Sequence, residues 1–332
     1  MYKKTLKIIA EIGSVHDGSF GNALRLVDAA AEAGANVVKF QTHIPEAETL
    51  KNAPNPSYFN NESRYEYFQR TSFTIDQWRR IAKHCADMNV SFLSSPFSLE
   101  AVDLLESVGV DSYKIPSGEV ANTPLLERVR KTGKPIYLSS GMSNWYELDR
   151  AVEILSVNEL LTIMQCTSAY PCPPEKVGLN VIPEMKKRYQ IDVGFSDHTL
   201  GFSASIGAVV TGANVIEKHF TFSKLMYGSD AMHSMEPLEF RKFCQEVSHA
   251  FIMRESLVDK DDLTPFKEIK KIFEKSIVTS KNLKAGTVLS LEDLSYKKPG
   301  DGIKASEYRN LIGRIIKFDL PKDHKFTWEN LT

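Results

Sequence analysis

Eight short apolar runs, separated by segments with helical spacing, constrain the fold of this 332-residue chain more than any other feature. Most of the runs are continuously apolar, as strands covered on both faces are. They lie at residues 6–10, 36–41, 90–94, 112–115, 135–139, 160–165, 192–195 and 214–218, with helical candidates at 22–33, 75–88, 99–108, 124–131 and 147–155. This alternation predicts an α/β fold, a (β/α)8 TIM barrel. A doubly wound open sheet is the alternative, but it would not explain reactive side chains after nearly every strand.

The character of the chain changes after a last amphipathic stretch at residues 238–254. We predict a barrel domain at 1–255, a charged linker at 256–275 and a small β-rich module at 276–332, with β-type runs at 276–279, 287–289 and 315–318. A module of this size is barely large enough for a core of its own. The connection at 41–74 has no predicted helix, and it is interpreted as a lid or binding loop, or as a cap over the barrel mouth.

Composition and local motifs exclude several classes of protein. The formal net charge is −1, so no basic field favours nucleic acid or a membrane surface. No apolar run approaches the ~20 residues of a membrane span, and no signal-peptide profile is present. The four cysteines show no CxxC pairing, which indicates reduced thiols in a cytoplasmic protein. Because no GxGxxG or Walker loop is present, neither a dinucleotide nor ATP is implied.

Two histidines each close a strand-like run, His198 after residues 191–197 and His219 after residues 214–218. The interval between them has the glycines and helical spacing of one strand–helix–strand unit, so both imidazoles are expected at the same edge of the barrel. Two histidines on neighbouring strand ends can share one divalent metal, and this edge is where the chemistry of barrel enzymes lies. The neighbouring Asp197 is a candidate for orienting an imidazole.

Other polar residues also follow the strands. Lysines, hydroxyls and glycine turns together predict a phosphate site, because lysine supplies charge while hydroxyls and backbone N–H groups supply orientation. These residues are Lys39, Ser95, Lys114, Ser117, Ser139, Ser140, Ser168 and Tyr170. The carboxylates of Glu11, Glu119 and Asp230 are available for proton transfer or for orienting a sugar.

Taken in order, these motifs resemble the sialic acid synthase family, and the resemblance covers nearly the whole chain. The matching motifs are Glu11-Ile12-Gly13, Val38-Lys39-Phe40-Gln41-Thr42, Tyr113-Lys114-Ile115-Pro116-Ser117-Gly118-Glu119, Leu138-Ser139-Ser140-Gly141-Met142, Ser196-Asp197-His198-Thr199-Leu200 and Glu217-Lys218-His219-Phe220. Residues 276–332 resemble the SAF (antifreeze-like) domain that this family carries. Its members condense phosphoenolpyruvate with an N-acylated hexosamine to form nonulosonic acids.

The resemblance implies roles for individual residues. It places Lys39, Ser95, Lys114, Ser117, Ser139 and Ser196 around phosphoenolpyruvate, and Gln41, Glu119, Ser168, Tyr170 and Asp230 near the sugar. It makes His198 and His219 the ligands of a divalent metal, usually Mn²⁺, with Mg²⁺ or Co²⁺ as alternatives. Glu11 is implied to lie close to the reacting carbons. The implied reaction joins C3 of phosphoenolpyruvate to the metal-polarised aldehyde carbon, after which water adds at C2 and phosphate leaves by C–O cleavage.

The resemblance further implies a domain-swapped homodimer in which Lys298 reaches the partner's sugar pocket. Three positions depart from the family pattern. Val15-His16 stands where many members have Asn-His, Ser168 stands where Asn is usual, and Lys298-Pro299-Gly300 stands where Arg-Pro-Gly is usual. All three concern the sugar, so N-acetylmannosamine and diacetamido-trideoxyhexoses both remain open as acceptors. The alternatives are another phosphoenolpyruvate-dependent barrel synthase of the 3-deoxy-octulosonate phosphate type, or a non-catalytic protein that binds carbohydrate or ice.

Overall fold

A computed structural model describes residues 5–55, 62–156 and 160–332. The chain divides into two compact units, Met1–Ser256 and Leu257–Thr332. In the part of the chain that the structure describes, no helix is both long enough and apolar enough to span a membrane.

The first unit is a closed barrel of eight parallel strands, which confirms the predicted fold. Each strand pairs with the next in the chain, and the eighth pairs with the first. The strands are β1 (Lys7–Gly13), β2 (Val37–Thr42), β3 (Ser91–Pro96), β4 (Ser112–Ile115), β5 (Ile136–Ser139), β6 (Leu161–Cys166), β7 (Asp192–Asp197) and β8 (Val215–His219). Several extend one to three residues beyond their apolar runs, because strand pairing continues past the last apolar residue.

Ten helices surround the barrel in the described part of this unit. They are α1 (Phe20–Glu32), α2 (Pro45–Glu48), α3 (Arg64–Thr71), α4 (Ile75–Asp87), α5 (Leu99–Val108), α6 (Thr123–Arg130), α7 (Trp145–Leu155), α8 (Val181–Tyr189), α9 (Ser203–Thr211) and α10 (Pro237–Glu255). Polar side chains such as Ser19, Thr74, Ser98 and Asn144 accept the first free backbone N–H groups of their helices. The buried side chains of α1 are all on one face and pack into the main core between helices and barrel.

The connection at 41–74 was predicted without a helix, and this is wrong. It contains α2 and α3, and a capping box between Ser63 and Glu66 begins α3. The helical signal is weak because α3 is only two turns long and is rich in aromatic residues. Residues 56–61 of the connection lie outside the described part of the chain.

The interior of the barrel is layered. An apolar cluster fills one end, and its members are Ile9, Val37, Leu93, Tyr137, Met164 and Val215. Two residues further along the same strands, the inward positions are polar or small: Glu11, Lys39, Ser95, Ser139, Cys166 and Glu217. Since side chains two residues apart on a strand share a face, the apolar layer supports a polar layer above it.

The second unit has its own core, which is built from residues between Ile277 and Leu331. Its strands β9 (Ser276–Thr279) and β10 (Leu294–Lys297) are antiparallel, and its helices are α11 (Lys267–Phe273) and α12 (Tyr308–Leu311). Strand β10 was not predicted, and the runs at 287–289 and 315–318 form only isolated bridges. The segment interpreted as a linker, 256–275, contains α11 and belongs to this unit from Leu257 onward.

Candidate active site

A cavity of about 820 Å³ opens at the carboxyl ends of the barrel strands, which is where active sites of this fold lie. It brings together most of the residues that the sequence predicted. Its lining includes Glu11, Lys39, Gln41, Ser95, Lys114, Ser117, Ser139, Ser168, Tyr170, Ser196, His198, His219 and Asp230.

At the bottom of the cavity, Glu217 joins the two predicted lysines. Nζ of Lys39 lies 3.0 Å from Oε1 of Glu217, and Nζ of Lys114 lies 2.7 Å from Oε2. Ser196 donates from its hydroxyl to Oε1 of Glu217 at 3.0 Å. Lys39 also pairs with Oε2 of Glu11 at 3.1 Å. Since each ammonium carries three N–H donors, the lysines keep donors for an anionic ligand while their charges are compensated.

Burial and pairing set the charge of this cluster. Burial opposes the charged form of Lys39, but Glu11 and Glu217 outweigh it and raise the pKa of Lys39. Burial likewise opposes ionisation of Glu217, yet Lys114 and Lys39 hold the pKa of this carboxyl far below its ordinary value. For Lys114, burial is the largest effect and lowers its pKa, against the attraction of Glu217.

Hydroxyl groups border the lysines. The Ser95 hydroxyl is buried and has no hydrogen-bond partner within the described residues, so it is available to a ligand. Ser117 accepts a hydrogen bond from the backbone N–H of Gly141 at 3.1 Å. A Cβ at Gly141 would come within 2.6 Å of the Ser117 hydroxyl and closer still to that of Ser168. Glycine at this position therefore lets two predicted hydroxyls approach the strand end.

The two predicted histidines are neighbours, with ring centroids 5.6 Å apart. Nδ1 of His198 donates to the backbone carbonyl of Thr167 at 2.8 Å, which leaves Nε2 as the lone-pair nitrogen. Burial, followed by the charge of His219, lowers the pKa of His198 to about 3. Nδ1 of His219 is buried without a hydrogen-bond partner in the described part of the chain, and Oδ2 of Asp230 lies 3.9 Å from it.

This pair meets the chemical requirements of a metal site with open positions. His198 has the carbonyl contact that usually orients a ligating imidazole, and His219 has an unsatisfied ring nitrogen. Among the described residues, no group of three or more His, Cys, Asp and Glu side chains is arranged to hold a metal. Two imidazoles alone would leave the other ligand positions to water, substrate or a carboxylate that moves.

The sugar side of the predicted site lies around Glu11. Gln41 donates from Nε2 to Oε1 of Glu11 at 2.9 Å. A Cβ at Gly13 would lie 3.0 Å from Oδ2 of Asp230, so this carboxylate stands close to the end of β1. The Tyr170 ring lies 4.1 Å from that of His198. Glu11, Gln41, Tyr170 and Asp230 therefore surround one region of the cavity.

One predicted site residue of the barrel unit is not brought into this cavity. Glu119 does not line it; the carboxylate accepts a hydrogen bond from Asn122 at 2.7 Å, and burial raises its pKa. Lys298 lies in the second unit, where its ammonium is 4.7 Å from the Phe273 ring. The candidate role of Asp197 is also wrong: it pairs with Lys218 at 3.1 Å and not with an imidazole, because it points to the opposite face of β7 from His198.

Sequence reasoning missed several residues of the cavity. Glu217 stood in the quoted motifs but was given no role, although a carboxylate two residues before His219 in a buried strand must face the same interior. The α3 segment, which we define as residues 62–71, contributes Glu62, Arg64 and Phe68 to the lining. The interpretation of the 41–74 connection as a lid, binding loop or cap agrees with this position, but it did not show which side chains would line the cavity.

Comparison with known proteins agrees with this geometry. Residues 26–258 match the model of the NeuB family, and residues 274–332 match the SAF domain. The N,N'-diacetyllegionaminic acid synthase of Campylobacter jejuni is 37% identical over 330 residues, which cover 97% of this chain and 98% of that protein. The N-acetylneuraminate-9-phosphate synthase of Homo sapiens is 32% identical, over 95% of this chain and 90% of its own.

A solved structure shows the same architecture. The N-acetylneuraminic acid synthetase of Leptospira borgpetersenii, in complex with citrate, matches with a TM-score of 0.71 and 28% identity over 80% of this chain and 91% of that chain. These matches confirm the resemblance that the strand-end motifs carried. The chain belongs to the NeuB family and ends in a SAF domain.

Proposed function

We propose that this chain is a nonulosonic acid synthase that condenses phosphoenolpyruvate with an N-acylated hexosamine and releases phosphate. The observation that carries the proposal is the polar layer of the barrel, where two buried lysines and several serine hydroxyls adjoin Glu11 and two imidazoles. Anion binding and proton handling are thus available within one cavity. The SAF domain argues against a synthase of the 3-deoxy-octulosonate phosphate type. The cavity lined by buried lysines, hydroxyls and imidazoles argues against a protein that only binds ice.

Phosphoenolpyruvate is assigned to the bottom of the cavity. Lys39 and Lys114 supply charge, and Ser95, Ser117, Ser139 and Ser196 supply hydrogen bonds to phosphate or carboxylate oxygens. Because Glu217 compensates the lysines beforehand, the anion meets a cluster that is already fixed in position. Such preorganisation orients C3 toward the space beside Glu11.

The sugar is assigned to the region of Gln41, Ser168, Tyr170 and Asp230, where its aldehyde carbon would face C3 of phosphoenolpyruvate. Once the C–C bond has formed, a water molecule adds at C2 and phosphate leaves from the same carbon. Glu11 is the carboxylate placed to accept the proton of this water, since Gln41 fixes one of its oxygens and the other faces Lys39.

His198 and His219 would hold a divalent cation, and we propose Mn²⁺, with Mg²⁺ or Co²⁺ as alternatives. When bound, such an ion polarises a carbonyl oxygen as a Lewis acid. The support for this assignment is the unsatisfied Nδ1 of His219 and the lone-pair nitrogen that the Thr167 carbonyl leaves on His198. Asp230 is near enough to His219 to act as a third ligand after a small movement.

For the acceptor we propose a diacetamido-trideoxyhexose of the legionaminate type. The cavity lining includes Phe68, Phe97, Met142, Met226 and Met232, which suit a sugar that carries a methyl group and two acetyl methyls. The relative from Campylobacter jejuni that covers the whole chain is a synthase of this kind. Serine at position 168, where the sialic acid synthases have asparagine, is consistent with a different acceptor.

A panel assay tests the function and the acceptor together. Phosphate release from phosphoenolpyruvate would be measured with N-acetylmannosamine, diacetamido-trideoxymannose and diacetamido-trideoxyaltrose, each with Mn²⁺. We expect release only with a sugar present, and fastest with diacetamido-trideoxymannose. Equal release without any sugar would contradict the synthase assignment, whereas a preference for another member of the panel would contradict only the acceptor.

We also propose that the protein works in the cytoplasm as a domain-swapped homodimer. All four cysteines are buried free thiols, which suits a reducing compartment. On α11 the apolar side chains of Ile269, Ile272 and Phe273 are more than half exposed, which suits contact with a second chain.

Trans complementation tests the shared site. Lys298→Ala chains mixed with His219→Ala chains should regain part of the activity that each lacks, since the intact barrel of one receives the intact module of the other. If each variant is inactive by itself and their heterodimers form but are also inactive, the domain-swapped site is excluded.

A further inference from the structure

His43, directly after β2, uses both of its ring nitrogens. Its Nδ1 is hydrogen-bonded to Oε1 of Glu48 at 2.7 Å, and its Nε2 to Oε1 of Gln41 at 3.1 Å. Gln41 in turn donates from Nε2 to Oε1 of Glu11 at 2.9 Å. A chain of three hydrogen bonds therefore runs from Glu48 on α2 to the carboxylate beside the reacting carbons.

Both faces of the His43 ring are covered as well. The Phe68 ring is stacked on one side at 3.5 Å and 14°, and the Phe97 ring is stacked at 4.1 Å and 17°. Only 8% of the residue is exposed. With both nitrogens and both faces occupied, His43 has no polar group left for a substrate, although it borders the cavity.

The direction of each hydrogen bond follows from the chemistry of the groups. A carboxylate oxygen accepts, so the amide of Gln41 presents its N–H₂ to Glu11 and its oxygen to His43. An amide oxygen also only accepts, so Nε2 of His43 must carry a proton. The 2.7 Å contact of Nδ1 with Glu48 holds the ring from its other side.

We propose that His43 is a positioning residue of this active site, which holds the Gln41 amide with its N–H toward Glu11 by donating from Nε2 to the amide oxygen. Without a donor at this place, Gln41 could turn its oxygen toward Glu11, where two acceptors repel each other. This proposal rests on the proposed function, since Glu11 and Gln41 are assigned to the sugar side.

The charged or titratable groups around His43 come from several elements. Besides Glu48, they are Arg64 of the α3 segment, Asp230 of the loop after β8 and His16 of the loop after β1. Burial is the main influence on His43 and lowers its pKa, while Glu48 acts in the opposite direction.

A first experiment needs no substrate. Full-length protein labelled with ¹⁵N-histidine would be studied by two-dimensional NMR of the imidazole ring, and the His43 signals identified by their loss in His43→Phe. We expect a proton on Nε2 at pH 7, as the contact with the Gln41 oxygen requires. An Nε2 without a proton at pH 7 would overturn the proposal, whatever the enzyme's substrates prove to be.

A second experiment separates hydrogen bonding from packing. His43→Phe keeps an aromatic ring between Phe68 and Phe97 but leaves the half-buried Gln41 oxygen without this donor. We expect kcat/KM for the sugar to fall by about 10- to 100-fold, with an unchanged KM for phosphoenolpyruvate. His84→Gln is the matched control, because His84 forms a similar pair with Asp28 at 2.6 Å between α1 and α4, away from the cavity. It should leave both constants unchanged.

Glu48→Gln gives a readout that a purely structural role would not produce. The new amide can donate to Nδ1, which fixes the proton of a neutral His43 on Nε2. We expect this variant to keep more of kcat/KM for the sugar than His43→Phe does, because the donor to Gln41 remains. If His43→Phe keeps the wild-type constants, or if Glu48→Gln loses as much as His43→Phe, His43 does not position Gln41. A wild type that releases no phosphate with any sugar would instead refute the proposed function.

Discussion

Nζ of Lys114 lies 2.7 Å from Oε2 of Glu217, so a cation assigned to the substrate is already neutralised in the free protein. Both groups are almost completely buried. Removing one charge of such a pair leaves the other without compensation, which is much more costly than losing a pair on the surface. Glu217 is therefore expected to support both the fold and the anion site.

Glu217→Gln should lower the free energy of unfolding by about 3 kcal/mol, because two buried ammonium groups would share only Glu11. Urea denaturation measures this. Glu106→Gln is the control, since Glu106 pairs with Lys134 at 2.6 Å near the surface and should change stability by at most about 1 kcal/mol. Inorganic phosphate should stabilise Glu217→Gln more than the wild type, since the anion compensates the lysines. Equal losses in the two variants would contradict the assignment.

Lys114→Ala should raise the KM for phosphoenolpyruvate about tenfold to hundredfold, since a charge-assisted contact to phosphate would be lost. The KM for the sugar should change much less. Lys7→Ala is a suitable control, because the Lys7 ammonium contacts the Tyr137 hydroxyl at 3.1 Å at the other end of the barrel. Steady-state kinetics with each substrate varied in turn decides the matter, and a normal KM for phosphoenolpyruvate would show that the anion site is misassigned.

His219→Ala should remove high-affinity Mn²⁺ binding without unfolding the barrel, since the ring lies at the cavity and not in the main core. Isothermal titration calorimetry of the full-length protein gives this result without any assay of activity. Chelation should inactivate the wild type reversibly. Wild-type affinity in the variant, or full turnover after exhaustive chelation, would argue against a metal on this pair.

His16 predicts a dependence of stability on pH. Burial, followed by the charge of His43, lowers the pKa of His16 to about 3 from an ordinary value of 6.5. Below pH 6.5 the unfolded chain therefore binds a proton that the folded chain does not, and stability falls as pH falls. From pH 6.5 to pH 5 this loss is about 2 kcal/mol.

His16→Asn removes this titration while its side-chain oxygen can still accept the hydrogen bond that the Gly18 N–H donates to the ring at 3.1 Å. Its unfolding free energy should therefore fall less steeply than that of the wild type between pH 7 and pH 5. Denaturation curves at pH 7 and pH 5 give the change in unfolding free energy for each protein. Equal changes for the wild type and His16→Asn would mean that His16 is not neutral in the folded protein.

The sequence predicted the eight strands because each carries its own apolar run, and it predicted Lys39, Lys114, His198 and His219 because they end such runs. It did not show which of two adjacent polar residues faces inward. Asp197 and Ser196 are neighbours on β7, yet only Ser196 reaches the cavity. The pairing of strands, a long-range property, fixes this choice.

The surroundings of the site were harder to predict. The role of Glu217 depends on lysines 178 and 103 residues away in the chain. The position of α3 over the barrel depends on contacts such as the pair of Arg70 with Asp17 at 2.6 Å. The length of the 41–74 connection indicated a lid or cap, but neither of these two long-range relationships leaves a periodic trace in the local sequence.

The apolar layer formed by Ile9, Val37, Leu93 and their neighbours closes one end of the barrel. Both proposed substrates must then enter through the mouth of the cavity at the other end. The proposed phosphoenolpyruvate site is deeper in this cavity than the proposed sugar site. Occupancy by the sugar would block that site from above. We therefore expect an ordered reaction in which phosphoenolpyruvate binds first and phosphate leaves last. Phosphate should then be a competitive inhibitor with respect to phosphoenolpyruvate but not with respect to the sugar.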